Sequence, residues 1–294
     1  MNPPTTAPLR RERPRLALGA GIAALAVAAV AATSSPSARS PDAPRLRIAT
    51  EGALAPWNFT DPAGQLAGFE VELAGELCRR MQVECEVVAQ DWDGMIPALQ
   101  QGRYDAVMAG MSITDERARV VDFAGPYAAD PAVFAVRPGS ALADAFPGLE
   151  RVDLSTPAGL DAAAGIARAL VGHTVAVQAS TTHARMMESL FPGAAVRVYD
   201  RLDQAVLDLM AGRVDAVLGP RTTVDAAAMA EGGRIVTAGP AFVRGPLGLG
   251  VGAATRKGDE LANRLTAAIE AVRRDGTTAR LSTRWFGFDV TMMP

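Results

Sequence analysis

Arg117 stands in "SITDERARVVDF" (112–123), directly after a run that reads as a strand, "YDAVMAG" (104–110). Thr114 has the type and place of a helix N-cap, which puts Arg117 in the first helical turn. A guanidinium at such a strand end can grip a carboxylate through two parallel hydrogen bonds. Ser112 and backbone N–H groups near Gly110 would add uncharged donors. The competing use of Arg117 is a surface ion pair with Asp115 or Glu116. A second polar patch, "AST" (179–181), precedes a helix beginning near Thr181. The first N–H groups of a helix lack intrahelical acceptors and favour anions. Thr181 and Thr182 therefore serve as caps, as ligand contacts, or as both. His183 reads as a surface residue that titrates near neutrality. The chain has two Cys and two His. They form no recognisable metal set, and neither a metal nor any other cofactor is expected.

The elements that must position these residues alternate. "LRIATEG" (46–52) is a short apolar strand. "GFEVELAGELCRRMQ" (68–82) spaces Phe69, Leu73, Leu77 and Met81 as one helical stripe, and "VECEVVA" (83–89) is again a strand. The same alternation runs through "HTVAVQA", "TTHARMMESLF", "AAVRVYD", "LDQAVLDLMAG" and "VDAVLGP". Repeated strand–helix alternation implies an α/β fold with mostly parallel sheets. Gly-Arg-x-Asp-Ala-Val appears at 102–107 and again at 212–217, each time between a helix and a strand. Chance similarity of amphipathic segments is one explanation; two lobes of like architecture is the other. Residues 137–172, with their Pro, Gly and Ser, suggest an exposed excursion carrying a helix near 160–171. Leu261, Leu265, Ile269 and Val272 mark a late helix.

The N-terminal segment is of another kind. Arg10, Arg11, Arg13 and Arg15 precede an uncharged apolar run from Leu16 to Ala32 that closes on small residues. This is the layout of a secretory signal peptide over 1–32. An uncleaved anchor is the rival reading, because the run is at the short limit for a spanning helix. Residues 33–44 form a polar leader, expected to be disordered. Cleavage after Ala32 leaves 25 basic and 31 acidic residues, a mildly acidic balance that speaks against nucleic-acid binding. An exported chain favours a disulfide between its only cysteines, Cys78 and Cys85. They flank what reads as a helix end and a strand start.

Several stretches together carry a resemblance: "EGALAPWNF" (51–59), "GFEVELAGELCRRM" (68–81) and "AQDWDGMIPALQQGRYDAVMAGMSITDERARVVDFAGPY" (89–127). "VQASTTHA" (177–184), "GVGAATRKGDEL" (250–261) and "DGTTARLSTRWFGFDV" (275–290) extend it. The chain resembles the periplasmic polar-amino-acid-binding proteins of ABC importers, solute-binding protein family 3. Within that family the lysine/arginine/ornithine-binding and opine-binding members are most alike. The resemblance implies a two-lobe periplasmic-binding-protein fold of type II, with lobe 1 at 45–135 plus 245–294 and lobe 2 at 136–244. It also implies a monomeric periplasmic receptor that closes on a small amino-acid-like ligand and delivers it to the transmembrane subunits of an ABC permease.

By the same resemblance the ligand contacts are Glu51, Leu54, Trp57, Trp92, Ala109, Gly110, Met111, Ser112, Arg117, Thr181, Thr182 and the position of Pro220. Trp92 would flank the ligand side chain, where Trp against a cation gains roughly 0.5–2 kcal/mol. Glu51 would face the distal end and favour a cation or hydrogen-bond donor. Leu54 replaces a residue that is usually Tyr. Pro220 stands where the family normally has an Asp for the ligand α-ammonium. Either another acid substitutes or the ligand has no free α-ammonium. Arg221 reads either as a charge at the cleft edge or as a solvent-facing residue. A different class of function shares the fold, a periplasmic cyclohexadienyl (prephenate or arogenate) dehydratase, for which His183 would be the nearest candidate acid.

Overall fold

A computed structural model of the chain describes residues 45–292. The expected signal peptide and leader lie outside the described residues. The first lobe opens with β1 (Arg45–Thr50) and a small antiparallel sheet, β2 (Ala53–Leu54), β3 (Asn58–Thr60) and β4 (Leu66–Ala67). Then come α1 (Phe69–Met81), β5 (Glu84–Ala89), α2 (Met95–Gln100), β6 (Ala106–Val107), α3 (Asp115–Ala118) and β7 (Val121–Ala128). β1 lies between β5 and β6, parallel to both. The α1 stripe behaves as its spacing requires: Phe69, Leu73 and Leu77 are fully buried. The helix ends where Gln82 takes a left-handed conformation, φ 56°.

Cys78 at the end of α1 is bonded to Cys85 in β5, with the two Cα atoms 6.1 Å apart. Closing so short a loop restricts the unfolded chain and stabilises by about 2–3 kcal/mol in the chain-entropy model. Replacing both cysteines by Ser is expected to lower stability by that amount in urea unfolding. An unchanged midpoint would show that the bridge contributes nothing.

The second lobe comprises β8 (Ala132–Val136), β9 (Arg151–Asp153), α4 (Pro157–Ala169), β10 (Thr174–Gln178), α5 (Thr182–Leu190), β11 (Ala195–Tyr199), α6 (Leu202–Met210), β12 (Ala216–Pro220), α7 (Arg221–Ala230) and β13 (Val236–Val243). Its sheet runs β11-β10-β12-β8-β13-β9. Phe134 fills its core, stacked on Phe146 at 5.2 Å and edge-on to Phe191 and Phe242, each at 5.8 Å. The chain then returns to the first sheet as β14 (Val251–Arg256), antiparallel to β6 and β7, followed by α8 (Leu261–Arg274) and α9 (Thr277–Phe286). None of the described helices is long and apolar enough to cross a membrane.

Two expectations shift. The lobe boundary expected at 135/136 falls earlier, because β8 pairs with β12 and β13 in the second sheet. The chain changes sheets at 129–131 and again at 244–250. Residues 137–172 are also no exposed excursion. Leu142, Val152, Leu154 and Ile166 are buried in the second core, and β9 extends the sheet edge beside β13. Pro, Gly and Ser mark the turns of this segment, while its sparse apolar residues supply the packing.

The repeated phrase makes the same bonds twice. Gly102 and Gly212 follow helices with φ of 74° and 71°, a conformation that costs Gly nothing. The Arg47 N–H donates to the Asp105 carboxylate at 2.9 Å and the Thr174 N–H to the Asp215 carboxylate at 2.8 Å. In return the Asp105 and Asp215 N–H groups donate to the carbonyls of Arg47 and Thr174. Each Asp thereby pins its short strand onto the neighbouring parallel strand, with Ala106 opposite Ile48 and Ala216 opposite Val175. Two lobes of like architecture account for this; chance does not.

Candidate functional site

Residues at the C-terminal ends of β1, β6, β10 and β12 converge on one cleft, as open parallel sheets commonly arrange them. Its lining includes Glu51 and Leu54 after β1, Ala109, Gly110 and Ser112 after β6, and Thr181, Thr182 and His183 after β10. Leu218 and Pro220 close it from β12, and Trp92, Arg117, Gln178 and Leu202 complete it. Among the described residues no three His, Cys, Asp or Glu side chains converge as a metal set.

Thr114 caps α3 by accepting from the Arg117 N–H at 3.3 Å, so Arg117 leaves the first turn toward the cleft. Its guanidinium donates to the Ser112 carbonyl at 3.0 Å and, across the cleft, to the Ser180 carbonyl at 3.3 Å. It also sits 5.1 Å from the centre of the Trp92 ring. Burial pulls its pKa down to about 10, which leaves it charged at neutral pH. The expected competitor pair is absent: Glu116 is bonded to Arg185 instead. Among the described residues no carboxylate forms an ion pair with Arg117.

The opposite face is built on α5. Thr181 caps it, accepting from the Ala184 N–H at 3.1 Å, and Thr182 is buried. Ser180 is held at φ 56°, a left-handed conformation that costs a non-glycine residue of order 1 kcal/mol. Its carbonyl receives Arg117 and its hydroxyl donates to Asp93 at 2.9 Å. In the same cleft, Gln178 donates to Glu51 at 2.7 Å. Burial pushes the Glu51 carboxyl up to about 7, offset by the Gln178 bond and by nearby Arg201.

Several expected contacts take other positions. Met111 is 1% exposed and packs in the core with Met95, Leu99 and Tyr104. The chain bends at Gly110, which takes φ 62°, so Ala109, Gly110 and Ser112 meet the cleft while Met111 turns into the core. The Gly110 N–H is not a spare donor either, because it is bonded to the buried Glu70 carboxylate at 2.8 Å. Glu70 also accepts from Asn58 at 2.6 Å and from the Tyr127 hydroxyl. It thereby braces the cleft floor from the first turn of α1.

Trp57 is fully buried and lines an adjoining chamber rather than the cleft. Arg221 lines neither cavity; it reaches Asp225 on its own helix at 3.3 Å. His183, expected at the surface, faces the cleft. Burial first, then the charge of Arg117, pushes its pKa down to about 4, so it is neutral at pH 7. Sequence reading also passed over Gln178, Leu202 and Leu218. Gln178 ends a strand facing Glu51, a relation set by packing between lobes and invisible in local spacing.

The chain is similar to several known proteins. The model of bacterial extracellular solute-binding proteins, family 3, matches residues 46–288. The octopine-binding periplasmic protein of Rhizobium meliloti is 41% identical over 84% of this chain and 91% of its own length. The L-arginine-binding protein of Pseudomonas aeruginosa is 37% identical over 83% of this chain and 89% of its own. Among solved structures, a periplasmic His/Glu/Gln/Arg/opine family-binding protein from Silicibacter pomeroyi in complex with lysine superposes with a TM-score of 0.67. It is 33% identical, covering 84% of this chain and all of the other.

Proposed function

The chain belongs to family 3 of the bacterial extracellular solute-binding proteins, and from that premise we propose that it is a periplasmic receptor for a cationic, amino-acid-like carboxylate. One observation carries this reading: a desolvated Arg117 in the cleft, bonded to a backbone carbonyl from each lobe and to no acid among the described residues. A ligand carboxylate on Arg117 supplies the missing counter-charge through a bidentate pair, and the α5 N-terminus adds its dipole. Glu51, some way along the cleft, receives the cationic end. Arginine and arginine-derived opines carry both charges, and the relatives named for octopine and L-arginine support that class. Residues 1–32 direct export. The lobes hinge at 129–131 and 244–250, and the loaded, monomeric receptor docks on an ABC permease.

The dehydratase reading requires an acid near the substrate. His183, neutral until about pH 4, is a poor proton donor at neutral pH, and the similar curated relatives are named as binding proteins.

A thermal-shift panel of L-arginine, octopine, L-lysine, L-glutamate, succinate and prephenate tests the proposal. Ligand at a hundred times its Kd adds about 2.7 kcal/mol, a rise in Tm of roughly 5–10 °C for a chain of this size. L-arginine or octopine is expected to give that rise. A response confined to succinate or prephenate, or turnover of prephenate, would sink the assignment.

A further inference from the structure

Beside the cleft lies a second, small chamber of about 30 Å³ that shares Leu54, Gly110, Ser112, Thr182, His183 and Pro220 with it. The chamber adds an acid of its own, Asp130, which does not line the cleft. Its position follows from sheet register. β12 and β8 run antiparallel with Pro220 opposite Ala132, and the Arg221 N–H donates to the Pro131 carbonyl at 2.8 Å. Two residues on from Pro220, the Thr222 N–H and hydroxyl donate to the Asp130 carboxylate at 3.1 and 2.6 Å. The Trp57 indole N–H adds a third bond at 3.0 Å. All three donors are neutral. Among the described residues no basic side chain forms an ion pair with Asp130, and burial pushes its carboxyl up to about 7.

The charges in the two cavities are thus one guanidinium, Arg117, and two acids with no cation bonded to them, Glu51 and Asp130. Of the two cavities Glu51 lines the cleft and Asp130 the chamber, with Gly110, Ser112, Thr182 and His183 common to both. The complement of that set is a molecule with one carboxylate and two separate cationic groups. In a basic α-amino acid the α-nitrogen is two bonds from the carboxyl carbon. A carboxylate held by Arg117 therefore carries its α-nitrogen to the shared walls, while the side chain extends toward Glu51. Pro220 at that wall offers neither a carboxylate nor an N–H.

We propose that Asp130 is the counter-charge for the ligand's α-ammonium, approached from the hinge crossing rather than from the end of β12. This rests on the receptor assignment above. The chamber continues past Asp130, Ser112, Leu247 and Val251 into a further pocket of about 350 Å³ at the hinge segments. A substituent on the α-nitrogen therefore has space to occupy, and a secondary ammonium pairs with Asp130 as a primary one does.

A merely structural role is the alternative, since Asp130 also receives the N-terminal N–H of Thr222 in α7. Calorimetric titration of L-arginine, octopine and 5-guanidinopentanoate, which lacks the α-amino group, separates the two. Asp130→Asn keeps an acceptor for Thr222 and removes the charge; Asp130→Ser is the second variant. The parent is expected to prefer L-arginine over 5-guanidinopentanoate by about 30-fold or more, the size of effect seen when a buried charge loses its partner. Both variants should shrink that preference to about threefold or less, with octopine weakened alongside L-arginine. A preference unchanged in the variants, or affinity lost equally for all three probes, overturns the proposal while leaving the receptor assignment intact. Failure of the parent to bind any of the three removes both.

Discussion

Arg117→Ala is expected to weaken binding of L-arginine or octopine by about a hundredfold or more, with little effect on folding. Removing one partner of a desolvated charge pair costs of order 3–5 kcal/mol, because the other charge is left without compensation. In the bound receptor that orphan is the ligand carboxylate, facing Ser112 and the threonines of α5 but no cation. The free protein is different. There the guanidinium is desolvated and holds only two carbonyl bonds and the face of Trp92, so Arg117→Ala should leave its stability within about 1 kcal/mol of the parent. Arg117→Lys retains the charge and loses the planar fork, and should fall between. Titration calorimetry alongside urea unfolding checks both halves. Parent-like affinity in Arg117→Ala removes the carboxylate grip from the account.

The second large effect is expected at Glu51. A carboxyl pushed up to about 7 by burial is largely protonated at pH 6 and largely ionised at pH 8. The groups that set it are Gln178 and Arg201, which hold it down, and Asp203 and Glu70, which hold it up. Because a cationic ligand end pairs with the ionised form, binding releases the proton, and affinity should rise about tenfold per such group from pH 6 to pH 8. Stability of the free receptor moves oppositely. The folded state keeps this proton longer than the unfolded state, so stability is lost as pH rises from about 4.5 through 7. Glu51→Gln keeps an oxygen for the Gln178 amide and loses the charge. It should cost about 30-fold or more in L-arginine affinity and flatten the pH dependence at this group. Affinity for L-citrulline, whose side chain ends in a neutral urea, should hardly change. Equal losses for both ligands would mean that Glu51 shapes the cleft without carrying its selectivity.

The contrast among these residues explains what could be read from the sequence. The stripe of α1, the Thr114 cap and the two Gly-Arg-x-Asp-Ala-Val turns are local patterns whose causes lie within a few residues of chain. Arg117 was legible because its cap, its helix and the strand before it are contiguous. Glu51, Ser112 and the threonines of α5 followed from matching stretches. His183, Gln178 and Asp130 have no such local signal. His183 faces inward because of how α5 leaves β10, and its low pKa comes from enclosure and from Arg117 in the other lobe. Asp130 reaches the chamber beside the cleft through the pairing of β8 with β12, which also moved the lobe boundary. Met111 lies between cleft residues in the chain but packs in the core, because the backbone bends at Gly110, a turn that the run of residue types does not announce.

The central claim concerns the orientation of the ligand, and a crystal structure of the receptor with L-arginine tests it most directly. The expected density has the carboxylate on the Arg117 guanidinium and the α5 N-terminus, with the side-chain guanidinium against Glu51. A ligand lying the other way round, or a carboxylate held anywhere but at Arg117, would contradict it.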